Sequence, residues 1–268
     1  MKEIGFEELR SIQLDILKKV DEYCEQNNIQ YSLAYGSLIG AVRHKGYIPW
    51  DDDIDIMMPR HDYNQFLSAF NGTYSHLRVI SPEIVSSYYA PYANVYLTTT
   101  KLIEPHVNHG FKDLGVKIDI FPVDSVPSDV IEYERLFKRS SELCRWRSFK
   151  STPIRNQNGT LSIRSIVKRI ISFLIPFFYL NNELRKMQKE IDNNTEYLDI
   201  ILWPIYKYKR FSHKFFRETI RVPFENIEVC IAKGYDGILT SIYGSYMELP
   251  PLENRVAKHD FIAYWKDK

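Results

Sequence analysis

Carboxylates crowd one segment of the sequence, Trp50-Asp51-Asp52-Asp53-Ile54-Asp55-Ile56-Met57, in which four acidic residues fall within five positions. From Asp53 onward polar and apolar residues alternate, which is the period of a β-strand. A strand places Asp53 and Asp55 on one face, with Asp51 as a third, while Ile54 and Ile56 enter the core. The segment therefore predicts either carboxylates fixed on a strand or a solvated acidic loop, and the alternating isoleucines favour the strand.

Paired carboxylates on one strand face suit a hard divalent cation, because such ions take oxygen ligands. Magnesium fits best, with manganese as a second option, since Mg²⁺ commonly uses one or two carboxylates plus substrate phosphate oxygens. The segment does not match an EF-hand loop, which needs a glycine at its sixth position and a glutamate at its twelfth. We therefore expect Asp53 and Asp55 to be metal ligands.

Three further features lie at positions that suit the same chemistry. Gly36-Ser37 stands where a short strand is expected to turn into a helix, and such turns let a backbone approach a phosphate closely. Asp119, in the alternating segment Lys117-Ile118-Asp119-Ile120-Phe121, would complete a two-metal site from an adjacent strand. Asp124 is a less certain candidate, with a capping role in a turn as its alternative.

The composition is that of a soluble protein with a substantial core. The chain has 268 residues, 44% of them apolar and 26% charged, and its formal charge is +1. These values exclude a disordered chain, a polytopic membrane protein and a globally basic nucleic-acid coat. Three dispersed cysteines fit neither a zinc motif nor a disulfide framework, and the first 30 residues lack an apolar signal core, so we expect a cytoplasmic protein that does not bind nucleic acid.

Hydrophobic periodicity predicts an α+β fold in which strands and helices alternate over the first 125 residues. Helices are expected at residues 6–24, 38–43, 60–70 and 129–147. Strands are expected at residues 31–35, 53–57, 77–80, 91–97 and 116–121.

The middle of the chain has a different character. Between Arg135 and Arg169 there are ten basic residues and one acidic residue, and the run Ile170–Leu180 that follows is almost entirely apolar. This run is too short to span a bilayer, which needs about 20 residues. Two interpretations are equally favoured: a segment lying in a membrane interface beside anionic lipid, and a buried core helix with a solvated basic face. The first predicts that changes at Lys168, Arg169 and Phe173 reduce membrane association more than activity.

Three separated blocks together resemble the LicD family. The first block is the segment from Tyr35-Gly36-Ser37-Leu38-Ile39-Gly40 through His44-Lys45-Gly46 to Asp53-Ile54-Asp55. The second is Ile118-Asp119-Ile120-Phe121-Pro122-Val123-Asp124, and the third runs from Tyr235-Asp236 through Tyr243-Gly244-Ser245 and Pro250-Pro251 to Arg255 and His259. The resemblance covers residues 8–125 and about 215–261, whereas the basic and apolar middle matches no motif.

The resemblance implies a nucleotidyltransferase-like mixed sheet flanked by helices. It implies a catalytic core at residues 1–128, a basic and apolar helical insertion at 129–214, and a C-terminal helical part at 215–268 that packs back on the core.

The implied activity is Mg²⁺-dependent transfer of a phospho-alcohol, with CDP-choline as the favoured donor, to a glycan or lipid-linked glycan acceptor, beside the inner face of the membrane. Asp53, Asp55 and Asp119 would be both catalytic residues and metal ligands. The implied substrate-binding residues are Gly36, Ser37, Arg43, His44, Lys101, Arg255 and His259. For Arg43 and His44 a capping role at a helix end is nearly as favoured, and Arg255 and His259 could share a helical face.

The chain departs from the family pattern in two segments. Ala93-Asn94-Val95-Tyr96-Leu97 stands where a segment of the Ala-Lys-Val-Tyr-Asp type is expected, so the charged pair is missing, and either Lys101 supplies the base or the head group of the donor differs. Ser245 stands where an aspartate is frequent. Both changes bear on specificity rather than on the metal site. Two other functions stay open: a nucleotidyltransferase that releases pyrophosphate, and a non-catalytic glycan-assembly protein.

Overall fold

The computed structural model describes residues 1–103, 114–151, 163–191, 195–205, 209–257 and 261–267. In chain order the helices are α1 (Phe6–Gln26), α2 (Tyr35–His44), α3 (Arg60–Ala69), α4 (Val130–Ser151), α5 (Ile163–Leu174), α6 (Phe177–Lys189) and α7 (Tyr235–Tyr243). The strands are β1 (Lys2–Ile4), β2 (Ser32–Leu33), β3 (Asp55–Pro59), β4 (Leu77–Ile80), β5 (Ala93–Leu97), β6 (Thr100–Ile103), β7 (Lys117–Val126), β8 (Tyr197–Asp199), β9 (Phe211–Ser212), β10 (Thr219–Phe224), β11 (Ile227–Ala232) and β12 (Ile262–Trp265).

The central sheet is mixed and has the strand order β2-β3-β7-β5-β4, with β8 and β9 continuing from β7. Only β3 and β7 are paired in parallel within it, and Asp55 lies opposite Asp119 in their register. Ile54, Ile56 and Ile120 are fully buried, so the alternation in both segments does separate a core face from an acidic face. The predicted α+β class and mixed sheet are confirmed.

Helix α1 lies against this sheet through an apolar face at helical spacing. Ile16, Leu17 and Val20 are buried on it, as the periodicity predicted. The hairpin of β10 and β11 closes over the same end of the molecule, where Arg221 donates two hydrogen bonds to the carboxylate of Asp21, at 2.7 and 2.9 Å. A third group of strands, β1-β12-β6, brings residues near both ends of the sequence together.

The middle of the chain forms a second, smaller hydrophobic cluster. It joins the end of β7 to α4, α6 and the residues after β8, through Val126, Tyr133, Phe137, Leu184, Met187, Ile201 and Leu202. Buried Arg147 ties this cluster to the main core by donating to the backbone carbonyls of Tyr88 and Tyr89. The division at residues 128 and 214 stays a prediction.

No helix within the described ranges is both long enough and apolar enough to cross a membrane.

Several predicted boundaries differ from those observed. Strand β3 begins at Asp55 rather than Asp53, because side chains of α1 bind the backbone carbonyls of Asp51 and Asp52. The strand expected at residues 31–35 stops at Leu33, since Tyr35 already begins α2. Strand β7 continues to Val126 because its last three residues pair with β8, which lies about 70 residues further along the chain.

Two further predictions differ from the observed structure. The apolar run 170–180 is not one segment, because α5 ends at Leu174 and α6 begins after Pro176. In the C-terminal part, α7 is flanked by the β10–β11 hairpin and by a loop that leads to β12. Arg255 and His259 were expected to share a helical face. Instead, Arg255 follows a 3₁₀ turn at Leu252–Asn254 in this loop, and His259 lies outside the described residues.

Candidate active site

A cavity of about 1050 Å³ lies between the acidic face of the central sheet and the C-terminal loop. Six of its lining residues are carboxylates: Asp51, Asp53, Asp55 and Asp119 on the side of the sheet, and Glu248 and Glu253 on the side of the loop. The opposite wall is formed by residues that follow α7, from Ser245 to Val256, and we call it the C-terminal wall. The cavity therefore combines a concentrated negative wall with a second wall from a distant part of the chain.

The carboxylates come close together because two parallel strands, β3 and β7, begin beside residues 48–54. We call residues 48–54 the acidic loop. Asp55 and Asp119 are register partners on neighbouring strands, as the sequence predicted. One ligand atom from each of Asp51, Asp52 and Asp53 lies within 4.8 Å of the others, although Asp52 is buried away from the cavity. Burial and the charges of Asp53, Asp119 and Asp51 hold the pKa of Asp55 well above its ordinary value.

These donors fit a hard divalent cation. All of them are carboxylate oxygens, and the neighbouring carboxylates that raise the pKa of Asp55 would be neutralised by a bound cation. Mg²⁺ and Mn²⁺ both accept such ligands. Asp53, Asp55 and Asp119 would hold the ion, and Asp51 is a fourth donor on the same wall.

Helix α1 holds the acidic loop through the loop's backbone. The guanidinium of Arg10 donates to the carbonyls of Ile48, Pro49 and Asp51, at 2.6 to 3.0 Å. Gln13 donates to the carbonyl of Asp52 at 2.9 Å. The Arg10 guanidinium also lies 4.8 Å from the centroid of the Tyr47 ring. The loop backbone is thereby fixed while the carboxylates of Asp51 and Asp53 remain on the cavity side.

The Gly36-Ser37 pair supports the carboxylates directly. A Cβ on Gly36 would lie 2.6 Å from Oδ2 of Asp51, so any other residue at this position would displace the Asp51 carboxylate. Ser37 is buried, and its Oγ accepts a hydrogen bond of 2.9 Å from the backbone N–H of Asp55. Gly36 lines the cavity, whereas Ser37 positions the start of β3. The role of both residues toward a donor phosphate stays a prediction.

Asp119 is held by residues from two strands. Its Oδ1 accepts hydrogen bonds from Nδ2 of Asn94 and from Nζ of Lys117, and Oδ1 of Asn94 accepts one from the Tyr88 hydroxyl. Asn94 is fully buried and is the register partner of Asp119 in β5. Asn94 thus replaces the expected lysine as a neutral donor, and the cation beside Asp119 is Lys117.

Lys101 lies elsewhere. It is in β6, paired with Tyr264 of β12, and is not among the residues that line the cavity. The sequence pattern could have singled out Lys117, because it stands two positions before Asp119 and shares its strand face.

Arg43 fastens the C-terminal wall to α2. Its Nη1 donates to the carbonyls of Tyr246 and Glu248, at 2.7 and 3.1 Å, and its Nε donates to Nε2 of His44. Burial and the charge of Arg43 lower the pKa of His44, which favours the neutral imidazole as acceptor. Arg255 donates to the carbonyl of Pro250 at 2.8 Å and lies 5.7 Å from the Trp50 ring centroid. Arg43 lines the cavity, whereas His44 and Arg255 are not among the residues that line it.

Asp124 has a structural partner rather than a place in the cavity. Its carboxylate accepts two hydrogen bonds of 2.7 Å from the guanidinium of Arg60, and Asp124 is buried. This buried pair joins the start of α3 to β7. The less certain metal candidate is therefore accounted for by an ion pair.

Aromatic rings form one corner of the cavity, which the sequence could not single out among 38 aromatic residues. The Tyr92 ring lies 4.4 Å from that of Phe121 and 5.3 Å from that of Trp203, centroid to centroid. The Tyr35 ring lies 5.2 Å from that of Phe121, edge to face. All four residues line the cavity together with the carboxylates, and we call them the aromatic corner.

Comparison with known proteins identifies the class and then the family. The family described as LicD/FKTN/FKRP, nucleotidyltransferase domain, matches residues 28–156, which include the acidic loop and Asp119.

The chain is 32% identical to the lipopolysaccharide cholinephosphotransferase LicD of Haemophilus influenzae, over 98% of this chain and 99% of that protein. Shorter matches occur to uncharacterised proteins of Rickettsia typhi, at 38% identity over 26% of this chain and 24% of that protein, and of Rickettsia prowazekii, at 47% over 18% of each. The chain belongs to the LicD family, as the three sequence blocks predicted.

Proposed function

We propose that this LicD-type phosphotransferase transfers phosphocholine from CDP-choline to a hydroxyl group of a cell-surface glycan and releases CMP. The similarity to a lipopolysaccharide cholinephosphotransferase over nearly the whole chain supports the transferred group and the class of acceptor. The observation that carries the chemistry is the pairing of Asp55 with Asp119 on parallel strands, beside Asp53, at the wall of one cavity.

The reaction forms a bond between the acceptor oxygen and phosphorus and breaks the bond between phosphorus and the CMP oxygen. Bound Mg²⁺ would supply charge stabilisation for the phosphate oxygens and lower the pKa of the hydroxyl group. Asp53 and Asp55 would hold the cation, and Asp119 would act toward the acceptor as a ligand or as the base that takes the hydroxyl proton. Asn94 and Lys117 would keep the Asp119 carboxylate in one orientation.

The aromatic corner supports a quaternary ammonium as the transferred head group. Such cations bind over the faces of Trp and Tyr rings, at about 0.5–2 kcal/mol for each contact. Tyr92 and Trp203 meet edge to face within the cavity, with Glu248 and Glu253 on the C-terminal wall. These groups offer rings and negative charge to choline, whereas a neutral glycerol or ribitol would gain much less from them.

We place the enzyme in the cytoplasm, where three free cysteines would stay reduced. The acceptor is a glycan precursor of lipopolysaccharide, teichoic acid or capsule, presented free or linked to lipid.

The decisive test is to incubate the purified protein with MgCl₂ and a panel of CDP-alcohols, and to measure CMP and pyrophosphate. We expect Mg²⁺-dependent CMP release that is fastest with CDP-choline. Asp119→Asn should reduce the rate by at least about 10²-fold, which corresponds to about 2.7 kcal/mol of transition-state stabilisation. Asp15→Asn, a change of an exposed aspartate on α1, is the matched control.

Two results would refute the proposal. Pyrophosphate release from a nucleoside triphosphate, with no CMP formed from CDP-alcohols, would identify a nucleotidyltransferase. Cellular function that survives Asp119→Asn unchanged would identify a non-catalytic assembly protein.

A further inference from the structure

Helix α5 presents its apolar side outward. Val167, Ile170, Ile171 and Leu174 are spaced as one stripe of a helix, which normally faces a protein core. Here the exposed fractions of Ile170 and Leu174 are 61% and 79%, while Ser172 is fully buried. The usual arrangement of polar residues outside and apolar residues inside is reversed.

Specific contacts fix this orientation. Nζ of Lys150, on α4, donates to the carbonyls of Ser172 and Ile175, at 2.8 and 2.9 Å. These are carbonyl groups at the C-terminal end of α5, where a cation is favoured. The same ammonium lies 5.4 Å from the Phe173 ring centroid. The inward side of α5 is thus held by polar contacts, and the outward side is left apolar.

The exposed surface continues past the end of α5. Phe173 is 60% exposed and Phe178, in the first turn of α6, is 51% exposed. Leu180, Leu184 and Met187 on α6 are buried, so this helix is anchored while its first turn faces outward. We call the exposed set Val167, Ile170, Ile171, Phe173, Leu174 and Phe178 the outer face.

The charge of the surrounding chain indicates what the outer face meets. Between Glu142 and Glu183 the sequence contains seven basic residues and no acidic residue, and five basic residues remain when Arg147 and Lys150, which are buried against backbone carbonyls, are set aside. Such a segment attracts an anionic partner, whereas a second copy of the chain would bring two basic segments together. At 12 residues α5 is about 18 Å long, well short of the roughly 30 Å hydrocarbon core of a bilayer.

We propose that the outer face binds an anionic lipid surface, with α5 lying in the plane of the interface. The apolar stripe enters the boundary between head groups and acyl chains, and the basic residues of the segment other than the buried Arg147 and Lys150 supply the attraction to lipid phosphates. This inference rests on the exposed surface of α5 and α6 and on the charge of residues 142–183, so it is independent of which phospho-alcohol the enzyme transfers.

The test is co-sedimentation of the full chain with vesicles of phosphatidylglycerol and phosphatidylethanolamine, and with vesicles of phosphatidylcholine alone. We expect binding to the anionic vesicles, at least tenfold weaker binding to the neutral ones, and loss of binding with rising salt. The double variant Ile170→Ser/Leu174→Ser should weaken binding at least tenfold. Ile131→Ser is the matched control, because Ile131 is 63% exposed at the far end of α4, about 29 Å along the helix from Lys150.

Three outcomes would overturn the proposal: no binding of the unchanged protein to anionic vesicles, equal binding by the double variant, or an equal loss in the control. A dimer in solution that the double variant dissociates, without vesicle binding, would assign the outer face to a second copy. CMP release from a soluble donor should be unchanged in both variants, so failure of this inference is distinguishable from failure of the proposed function.

Discussion

Replacing Asp55 by asparagine should abolish transfer and yet stabilise the metal-free protein. Asp55 lies opposite Asp119 on the neighbouring strand, and strands in a sheet are about 4.8 Å apart. Two unit charges about 5 Å apart repel by about 3 kcal/mol at an effective dielectric constant of about 20. Lys117 offsets part of this, so we expect Asp55→Asn to raise the free energy of unfolding by about 1–3 kcal/mol. That corresponds to a rise in Tm of about 2–6 °C for a chain of this size.

The pH dependence of this gain has a definite sign. The pKa of Asp55 is raised in the folded state, so the folded protein binds this proton more tightly than the unfolded chain does. The wild-type protein therefore loses stability as the pH rises above the ordinary carboxyl pKa of 3.8 and through the raised value. Asparagine has no proton to lose, so the difference in Tm should be small near about pH 4 and larger near about pH 7.

Thermal unfolding in EDTA and in MgCl₂ measures both effects. At ten times its dissociation constant, Mg²⁺ should stabilise the wild-type protein by about 1.4 kcal/mol. The variant should gain much less and should release no CMP. Unchanged or lowered stability of the metal-free variant at neutral pH, or equal stabilisation of both proteins by Mg²⁺, would refute the reasoning. Asp15→Asn again serves as the control.

Three further substitutions separate positioning, structure and specificity. Arg10→Ala removes the donors that hold the loop carbonyls, so we expect a loss of about 2 kcal/mol in stability and at least a tenfold loss in kcat; unchanged kcat would contradict this role. Asp124→Asn breaks the buried pair with Arg60 and should cost about 3–5 kcal/mol by denaturant unfolding while leaving Mg²⁺-dependent stabilisation intact; loss of that stabilisation would make Asp124 a metal ligand. Trp203→Leu should lower kcat/KM about fivefold to thirtyfold for CDP-choline but little for CDP-glycerol, and equal losses would exclude a choline contact.

The sequence predicts those parts of the site that depend on local period. Alternation in two segments separates Asp53, Asp55 and Asp119 from the core isoleucines, and the expectation of adjacent strands is confirmed by their register. The resemblance of three separated blocks to the LicD family is confirmed by the relative that matches nearly the whole chain. Such features need only a few neighbouring residues to be visible.

Contacts from side chains to backbone carbonyls of distant residues were not predictable. Arg43 binds carbonyl groups more than 200 positions away, and Arg10 binds the acidic loop about 40 positions away. Backbone acceptors leave no mark on residue type, so neither contact has a sequence signal. The aromatic corner is hidden for another reason: Tyr92 and Trp203 resemble ordinary core residues until their rings are found in one cavity.

The way α1 grips the acidic loop has a consequence for redesign. Arg10 and Gln13 bind main-chain oxygens, so these contacts to the loop do not depend on which side chains it carries. The side chains at positions 51 and 53 can therefore be changed while the contacts of Arg10 and Gln13 to the loop backbone are kept, although the closeness of Gly36 limits the size of residue 51. A library that introduces Asn, Glu or His at positions 51 and 53 should yield mostly folded proteins that differ in cation preference.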